Sequence, residues 1–388
     1  MTEADTAGAN LRLARPDTKP VRPHFSSGPC AKPPGWNPGL IDTRSLGRSH
    51  RSALGKARLQ AAIERTHALL QLPADYRLGI VPASDTGAVE MALWALLGER
   101  PVTMLAWESF GAGWVTDVLK QLKVDADVRT ADYGEIAELD GIDPASDVVF
   151  TWNGTTSGVR VPSADWIAED RTGLTICDAT SAAFAQRIDW PKIDVGTFSW
   201  QKALGGEGAH GMLVLSPRAV ERLEQAKTNR PLPKIFRLTK GGALIEGVFK
   251  GETINTPSML AVEDWLVALE WADRVGGLDA LVTRADANAA ALDRWVRESS
   301  WIEHLAKNPA IRSNTSVCLQ FADRSDVEAN KARQKAMVKL LEAEDAAYDV
   351  GAYRDAPPGL RIWCGATVDT ADIEKLGPWL DWAWEATA

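Results

Sequence analysis

The chain has 388 residues and a formal net charge of −9, with 45% hydrophobic and 24% charged residues. At roughly 150 residues per domain, this length predicts two domains, and the composition is typical of a soluble globular protein. The acidic charge disfavours nucleic acid and anionic lipid as partners. No run of ~20 apolar residues predicts a membrane span. The four cysteines form no CxxC pair, so we expect neither a metal site nor a disulfide framework.

The N-terminal third predicts an arm, a loop and then the start of an alternating fold. Residues 1–20 are polar and lack the apolar core of a secretory signal, so we expect a flexible arm on a cytoplasmic protein with reduced thiols. Residues 21–40 are rich in Pro and Gly and predict loops. Apolar periodicity then predicts helix 53–72, strand 78–81 and helix 88–97.

The middle of the chain continues this alternation of strands and helices. A helix is predicted over 114–122, and the predicted strands are 102–107, 147–151, 174–177, 195–199 and 212–215. Such alternation indicates an α/β domain with a mainly parallel sheet. Ligands of these sheets bind at the carboxyl ends of the strands. We therefore expect the functional site where polar residues follow the strands.

The pattern changes after about residue 258, where long helices dominate. The predicted helices are 261–275, 278–299 and 327–344, and the predicted strands are 317–321 and 360–364. This pattern predicts a large α/β domain over residues 21–258 and a smaller α+β domain over residues 259–388.

Lys202 is the first candidate for chemistry, because it follows an apolar strand and precedes Gly205 and Gly206. Partial burial at a strand end lowers the pKa of a lysine, and a neutral amine can form a Schiff base with a carbonyl compound. An arbitrary lysine is more often a surface residue. The presence of Asp178 favours a functional role for Lys202.

Asp178 lies 24 residues before Lys202, at the end of another apolar strand. A carboxylate in this position can keep the ring nitrogen of pyridoxal phosphate (PLP) protonated, so that the ring withdraws electrons. The alternative is an ordinary helix-capping Asp. The two residues together, in this order and spacing, favour PLP chemistry.

Anion-binding groups are also present. The turn Ser84–Gly87 lies between a strand and a helix, where free N–H groups and the helix dipole favour a phosphate, although a simple capping turn has the same sequence. His50 and Arg51 precede the first helix, and Arg354 and Arg361 lie near the C-terminus. Arginine binds carboxylate or phosphate through its planar fork. Taken singly, each of these side chains is more often a solvated surface or structural group.

Several motifs in order resemble one family. They are Phe25–Pro29, Ser49–Arg51, Gln201-Lys202, Asn255–Pro257 and the segment around Arg361. From about Phe25 to its end, the chain resembles the phosphoserine aminotransferases, which are PLP enzymes of fold type I in the class V aminotransferase group. The resemblance implies a large domain with a mainly parallel seven-stranded sheet and a smaller C-terminal α+β domain.

The resemblance also implies roles for individual residues. Lys202 would be the catalytic Schiff-base lysine and Asp178 the partner of the ring nitrogen. Residues implied to bind the rest of the cofactor are Asp85, Thr86, Phe110, Thr155 and Gln201, with Asn255 and Thr256 reaching it from the other subunit of a homodimer. Residues implied to bind substrate are Ser27, His50, Arg51, Arg354 and Arg361. Two positions depart from the family: Phe110 stands where many members stack a tryptophan on the ring, and Arg354 where many carry a histidine.

The implied reaction is transfer of an amino group from glutamate to 3-phosphohydroxypyruvate in serine biosynthesis. The corresponding phosphorylated acid of vitamin B6 (pyridoxine) synthesis, 4-phosphohydroxythreonine, is a second possible substrate. Three alternatives stay open. They are a serine–glyoxylate or alanine–glyoxylate aminotransferase, a cysteine desulfurase-like lyase, and a non-enzymatic α/β binding protein. The lyase would need Cys318 as nucleophile, and the position of Cys318 in a predicted buried strand argues against it.

Overall fold

The computed structural model describes residues 13–226 and 230–388, which form eight α-helices and fourteen strands. The helices are α1 (Ala53–Leu69), α2 (Ser84–Leu96), α3 (Ser109–Thr116), α4 (Pro217–Gln225), α5 (Met259–Val275), α6 (Gly277–Glu298), α7 (Val327–Ala343) and α8 (Thr370–Ala386). The strands are β1 (Arg77–Pro82), β2 (Val102–Ala106), β3 (Asp127–Thr130), β4 (Asp147–Thr151), β5 (Asn153–Gly154), β6 (Val159–Arg160), β7 (Thr175–Asp178), β8 (Val195–Ser199), β9 (His210–Leu215), β10 (Thr239–Lys240), β11 (Ala243–Leu244), β12 (Ile302–His304), β13 (Ser316–Phe321) and β14 (Gly359–Trp363).

The large domain is built on a seven-stranded sheet in the order β1-β9-β8-β7-β4-β2-β3. Strand β9 runs antiparallel to both of its neighbours, and the other pairs are parallel. The predicted α/β class with a mainly parallel seven-stranded sheet is therefore confirmed. Every residue of β2, β4, β7, β8 and β9 is buried, which is the pattern of strands covered on both faces.

The sheet separates two hydrophobic clusters. One contains apolar residues of α2 and α4 together with side chains from one face of the sheet. The other joins the opposite face to α1, α5 and the C-terminal part of the chain. Because this second cluster runs through both predicted domains, it fixes the C-terminal part against the sheet.

The C-terminal part contains the antiparallel sheet β12-β13-β14 with α6, α7 and α8 around it. The predicted boundary at 258/259 coincides with the start of α5, which packs against α1. Of the predicted arm 1–20, residues 1–12 lie outside the described residues. Arg15 pairs with Glu344, and the indole of Trp379 donates to the carbonyl of Thr18 at 2.8 Å. The domain bounds and the mobility of the arm stay predictions.

The sequence analysis missed α4, α8 and six strands, namely β3, β5, β6, β10, β11 and β12, and it placed the start of α3 too late. The helix predicted over 114–122 begins earlier, at Ser109, and its last part, Asp117–Gln121, is a π-helical turn. Glu108 caps the earlier start through its side chain, a signal that apolar periodicity does not contain. The edge strand β3 was not predicted, because its residues are polar and partly exposed.

Within residues 13–226 and 230–388, no helix has the length and apolar character needed to cross a membrane. The same residues contain no group of three or more His, Cys, Asp or Glu side chains that could hold a metal ion. All four cysteines are free and buried.

Candidate active site

A cavity of about 130 Å³ opens at the carboxyl edge of the large sheet. It is lined by Ser84, Asp85, Thr86, Phe110, Trp114, Thr151, Asn153, Thr155, Asp178, Thr180, Ser181, Gln201 and Lys202. These residues follow β1, β2, β4, β7 and β8, so the sheet topology gathers segments that are far apart in sequence. Seven of the predicted cofactor-binding and catalytic residues share this cavity: Asp85, Thr86, Phe110, Thr155, Asp178, Gln201 and Lys202.

Lys202 lies three residues after the end of β8, and its side chain is partly buried. Its Nζ donates a hydrogen bond to the carbonyl oxygen of Ser27 at 2.5 Å. Burial lowers the pKa of the amine, with a smaller effect in the same direction from the charge of Arg361. Gly28 allows the loop to come this close, because a Cβ at that position would lie 2.3 Å from Nζ. A lysine amine with a lowered pKa can act as a nucleophile and as a base.

Asp178 is the last residue of β7 and is buried. The indole Nε1 of Trp114 donates to its Oδ2 at 3.1 Å, and the backbone N–H of Thr180 donates to its Oδ1 at 3.0 Å. These two donors fix the plane of the carboxylate. Asp178 therefore places a carboxylate of fixed orientation in the cavity that Lys202 also lines.

The opposite wall is a network of hydroxyl and amide groups around Ser181. The Thr155 hydroxyl donates to Ser181 Oγ at 2.7 Å, and Asn153 Nδ2 donates to the same oxygen at 2.8 Å. The Thr151 hydroxyl is buried and has no hydrogen-bond partner. Buried polar groups without partners are unusual, so this wall is suited to a polar ligand.

The first turn of α2 forms the end of the cavity expected to bind a phosphate. Ser84, Asp85 and Thr86 are the first three residues of this helix, whose free N–H groups favour an anion. Gln201 lies beside them, and its Oε1 is buried without a partner. The Asp85 side chain is buried as well, and its carboxyl interacts with Asp178.

Phe110 separates this cavity from a wider one of about 520 Å³. Its ring is partly exposed and lies 5.8 Å from the ring of Tyr353. Glu108 caps α3 by accepting from the N–H of Gly111 at 2.7 Å, and it accepts from the Thr156 hydroxyl at 2.9 Å. Burial raises the pKa of Glu108 to about 7.

The wider cavity carries one of the predicted substrate arginines. Arg354 lines it, is largely exposed and contacts Asp355 at 3.3 Å. Arg361 on β14 lies close by, with its guanidinium 5.5 Å from the centre of the Tyr353 ring and its Nε buried without a partner. Ser27 contributes its carbonyl to Lys202, and its hydroxyl lies 3.2 Å from that of Ser316.

Six predicted residues line neither cavity in a single chain: Ser27 and Arg361, which lie near Lys202 and Tyr353, and His50, Arg51, Asn255 and Thr256, which lie farther away. Arg51, Asn255 and Thr256 are exposed, and His50 is partly buried with an unpartnered Nε2. Arg51 interacts electrostatically with Glu252, so the two segments lie on one surface. Their predicted role in a partner's site stays a prediction.

The sequence analysis did not assign Trp114, Thr151, Asn153, Thr180 and Ser181, which line the smaller cavity, or Glu108, which lines the wider one. Thr180 and Ser181 directly follow Asp178, so their closeness to the predicted site was a usable signal. Trp114 had no such signal, since a tryptophan in a predicted helix is ordinarily a core residue.

Cys318, the candidate nucleophile of a lyase, lies in the middle of β13. Its thiol is buried, and burial raises its pKa to about 12. A nucleophilic cysteine needs a lowered pKa and access to the substrate. The buried thiol therefore argues against lyase chemistry at this residue.

The residues of the smaller cavity fit PLP. Asp178 can hold a ring nitrogen, Lys202 can react with an aldehyde, and Phe110 can contact a ring face. The unpartnered oxygens of Thr151 and Gln201 can bond to polar ring substituents or phosphate. This donor set and its spacing suit an aromatic, phosphorylated aldehyde better than a nucleotide or a metal.

No protein-family model matches the chain. The chain is 56% identical over 372 residues to phosphoserine aminotransferase of Methanosarcina mazei, covering 96% of this chain and 99% of that protein. Its fold is similar to that of a phosphoserine aminotransferase from Cytophaga hutchinsonii, with a TM-score of 0.80, 20% identity, and coverage of 93% of this chain and 99% of the other. A PLP-bound phosphoserine aminotransferase from Trichomonas vaginalis superposes with a TM-score of 0.74, at 16% identity and with coverage of 92% and 99%. The chain belongs to the phosphoserine aminotransferase family.

Proposed function

We propose that this PLP-dependent transaminase transfers the amino group of glutamate to 3-phosphohydroxypyruvate, giving 2-oxoglutarate and O-phosphoserine for serine biosynthesis. The observation that carries the proposal is the presence of Lys202 and Asp178 in one cavity. The 56% identity to a phosphoserine aminotransferase over nearly the whole length supports the choice of substrate.

When bound, PLP supplies an aldehyde that accepts the amino group and a ring that withdraws electrons from the reacting carbon. Asp178 holds the ring nitrogen in its protonated form through a carboxylate fixed by Trp114 and by the N–H of Thr180. Lys202 removes the α-proton of the amino acid and returns a proton at the end of each half reaction. Its lowered pKa makes the neutral amine available for this step.

Arginines supply the charge for an anionic substrate. Arg361, whose Nε has no partner, would bind the substrate carboxylate, and Arg354 would approach the substrate phosphate from the wider cavity. Ser27 would contribute from the loop that contacts Lys202. A glyoxylate-type aminotransferase has no need for a second cationic group, so Arg354 favours the phosphorylated substrate.

We also propose a homodimer with shared sites. His50 and Arg51 would reach the substrate phosphate of the partner's site, and Asn255 and Thr256 the cofactor phosphate. Arg51 interacts electrostatically with Glu252, which pairs with Lys56 at 2.7 Å and shortly precedes Asn255 in the chain, and this proximity of the two segments supports the proposal. Sedimentation of the purified protein as a dimer would agree with this assembly, and a monomer that is fully active would contradict it.

Two finer assignments belong to the same proposal. The phosphorylated amino acid of pyridoxine synthesis, 4-phosphohydroxythreonine, has the same phosphate and carboxylate groups and would be a second substrate. The enzyme would act in the cytoplasm, where four free, buried cysteines stay reduced.

The test follows the visible absorbance band of the cofactor-loaded enzyme. Glutamate and O-phosphoserine, added separately, are each expected to remove this band as the amino group moves to the cofactor, whereas alanine leaves it unchanged. The Lys202→Ala variant serves as the control, since it lacks the amine that holds the cofactor and moves the proton.

A band that responds to glutamate and alanine but not to O-phosphoserine would contradict the phosphorylated substrate and favour a glyoxylate-type enzyme. A protein that develops no band with added PLP would contradict the whole proposal.

A further inference from the structure

Two buried carboxyl groups line the same cavity, and the mechanism uses one of them. Asp178 ends β7, and Asp85 is the second residue of α2, each with only 7% of its surface exposed. Asp178 has donors on both oxygens, from Trp114 and from the N–H of Thr180. Asp85 has no comparable support, because its Oδ1 is buried without a hydrogen-bond partner.

None of the main electrostatic influences on Asp85 comes from a basic group. Its carboxyl interacts with the hydroxyls of Thr180 and Thr197 and with the carboxyl of Asp178. Burial, followed by the charge of Asp178, raises the pKa of Asp85 well above its ordinary value. Two ionised carboxyls that are buried side by side repel each other, so such a pair retains a proton.

Other titratable groups around the pair act mainly on Asp178. Lys202 and Glu108 each interact with Asp178 through their charge. The thiol of Cys177 is buried next to both carboxyls, and its own pKa is raised. None of these groups offers Asp85 a cation, whereas Lys202 and the two donors favour the charge on Asp178.

We propose that Asp85 is a positioning residue, which stays protonated and donates a hydrogen bond to Asp178 so that this carboxylate keeps its orientation toward the cofactor ring nitrogen. The proton of the pair lies on Asp85, and the negative charge lies on Asp178. A neutral Asp85 also removes a conflict, because an ionised carboxylate in the first turn of α2 would repel the phosphate expected there.

This role presupposes the proposed cofactor, but the protonation state can be tested without it. Infrared difference spectra of the cofactor-free protein at neutral pH compare the wild type with Asp85→Asn, and Glu108→Gln is the matched control, since Glu108 is a buried acid close to the same site. The carbonyl stretch of a protonated carboxylic acid is expected in the wild type and in Glu108→Gln, and its Asp85 component is expected to vanish in Asp85→Asn. Equal acid bands in the wild type and Asp85→Asn would overturn the proposal, whatever reaction the enzyme catalyses.

The positioning role is tested by cofactor affinity. Asparagine keeps an N–H donor for Asp178, so Asp85→Asn is expected to bind PLP within about twofold of the wild type. Asp85→Ala loses the donor and is expected to bind roughly tenfold more weakly, the effect of one hydrogen bond to a charged group. The pH at which the bound cofactor's absorbance titrates should move in Asp85→Ala and not in Asp85→Asn.

The positioning role of Asp85 would be overturned if Asp85→Ala bound PLP as tightly as the wild type. It would also be overturned if Asp85→Ala and Asp85→Asn lost the same affinity for PLP. If Asp85→Ala does not fold, the infrared comparison decides on the protonation of Asp85, and the affinity of Asp85→Asn decides on the donor.

Discussion

At the scale of single residues, the proposed site would depend on side chains that hold the reacting groups and do not themselves react. Trp114 is the main example, because its indole N–H is one of two donors to Asp178. A hydrogen bond to a charged group contributes about 1.5–3 kcal/mol, most of it through the cost of leaving the partner unsatisfied. A carboxylate that turns away from the ring nitrogen cannot keep it protonated.

Trp114→Phe is expected to weaken PLP binding by roughly 10- to 100-fold, the equivalent of this hydrogen bond. Titration of the cofactor-free protein with PLP, followed by absorbance, measures the change. Trp94→Phe is the matched control, since Trp94 donates to the Glu90 carboxylate at 2.9 Å outside the site. Equal affinities for the two variants would contradict the role of Trp114.

Glu108 makes stability depend on pH. Its pKa is raised to about 7 in the folded protein from an ordinary 4.5, so the folded state binds the proton more tightly than the unfolded state. The stabilisation is complete below pH 4.5 and is lost as the pH rises through 7. The free energy of unfolding of the wild type relative to Glu108→Gln is expected to fall by up to about 1.4 kcal/mol per pH unit in this window. Urea unfolding of the cofactor-free proteins at several pH values measures it, and a difference that does not change with pH would contradict it.

At the scale of elements, the contact between β9 and α2 sets the position of the turn that we propose to bind the cofactor phosphate. Gly211 on β9 faces this helix, and a Cβ there would lie 2.2 Å from the carbonyl oxygen of Ser84 and 2.9 Å from the Cβ of Ala88. A backbone carbonyl oxygen cannot be displaced unless the helix moves with it. The absence of a side chain at Gly211 therefore allows the first turn of α2 to approach the sheet.

Gly211→Ala is expected to push the start of α2 outward, to cost about 1–3 kcal/mol of stability and to weaken PLP binding. Gly113→Ala on α3 is the control, because nothing lies within 4 Å of the position of its added Cβ. Urea unfolding and PLP titration measure the two effects. An unchanged affinity for PLP in Gly211→Ala would show that the turn does not depend on this contact.

At the scale of the whole molecule, one chain contains a cofactor cavity but only part of the predicted anion site. Lys202 lines the cavity, whereas Arg51 lies exposed on a separate surface. A shared active site in a two-fold dimer would bring Arg51 of one subunit to the cavity of the other. Each site would then need residues from two chains.

A subunit-mixing experiment tests this arrangement. Lys202→Ala and Arg51→Ala are each expected to be nearly inactive alone. Random mixing makes half of the dimers mixed, and each mixed dimer has one site with both residues intact, so about a quarter of wild-type activity is expected. Activity measured after unfolding and refolding the two variants together gives the result. No recovery in the mixture, while wild type recovers under the same treatment, would contradict the shared site.

The sequence by itself determined much of the fold and predicted which side chains meet at the carboxyl edge of the sheet. Alternating apolar runs and turns predict the parallel strands, because hydrophobic periodicity and turn-forming residues are local properties of the chain. The shared location of Lys202 and Asp178 was predictable for the same reason, since both lie at the ends of apolar strands and strand ends converge in such a sheet. The polar edge strand β3 was not predicted, because an exposed edge strand needs no apolar pattern.

Only the tertiary structure decided which side chains support these residues. Trp114 and Asp178 are 64 residues apart, and no local pattern marks their hydrogen bond. Asp85 looked like part of a phosphate-binding turn, and its carboxyl meets Asp178 only because β1 and β7 are brought to one edge of the sheet. The physical reason is the same in both cases. Local sequence sets the type and the bounds of each helix and strand. Burial and long-range packing set the protonation state and the hydrogen-bond partners of the side chains that these elements bring together.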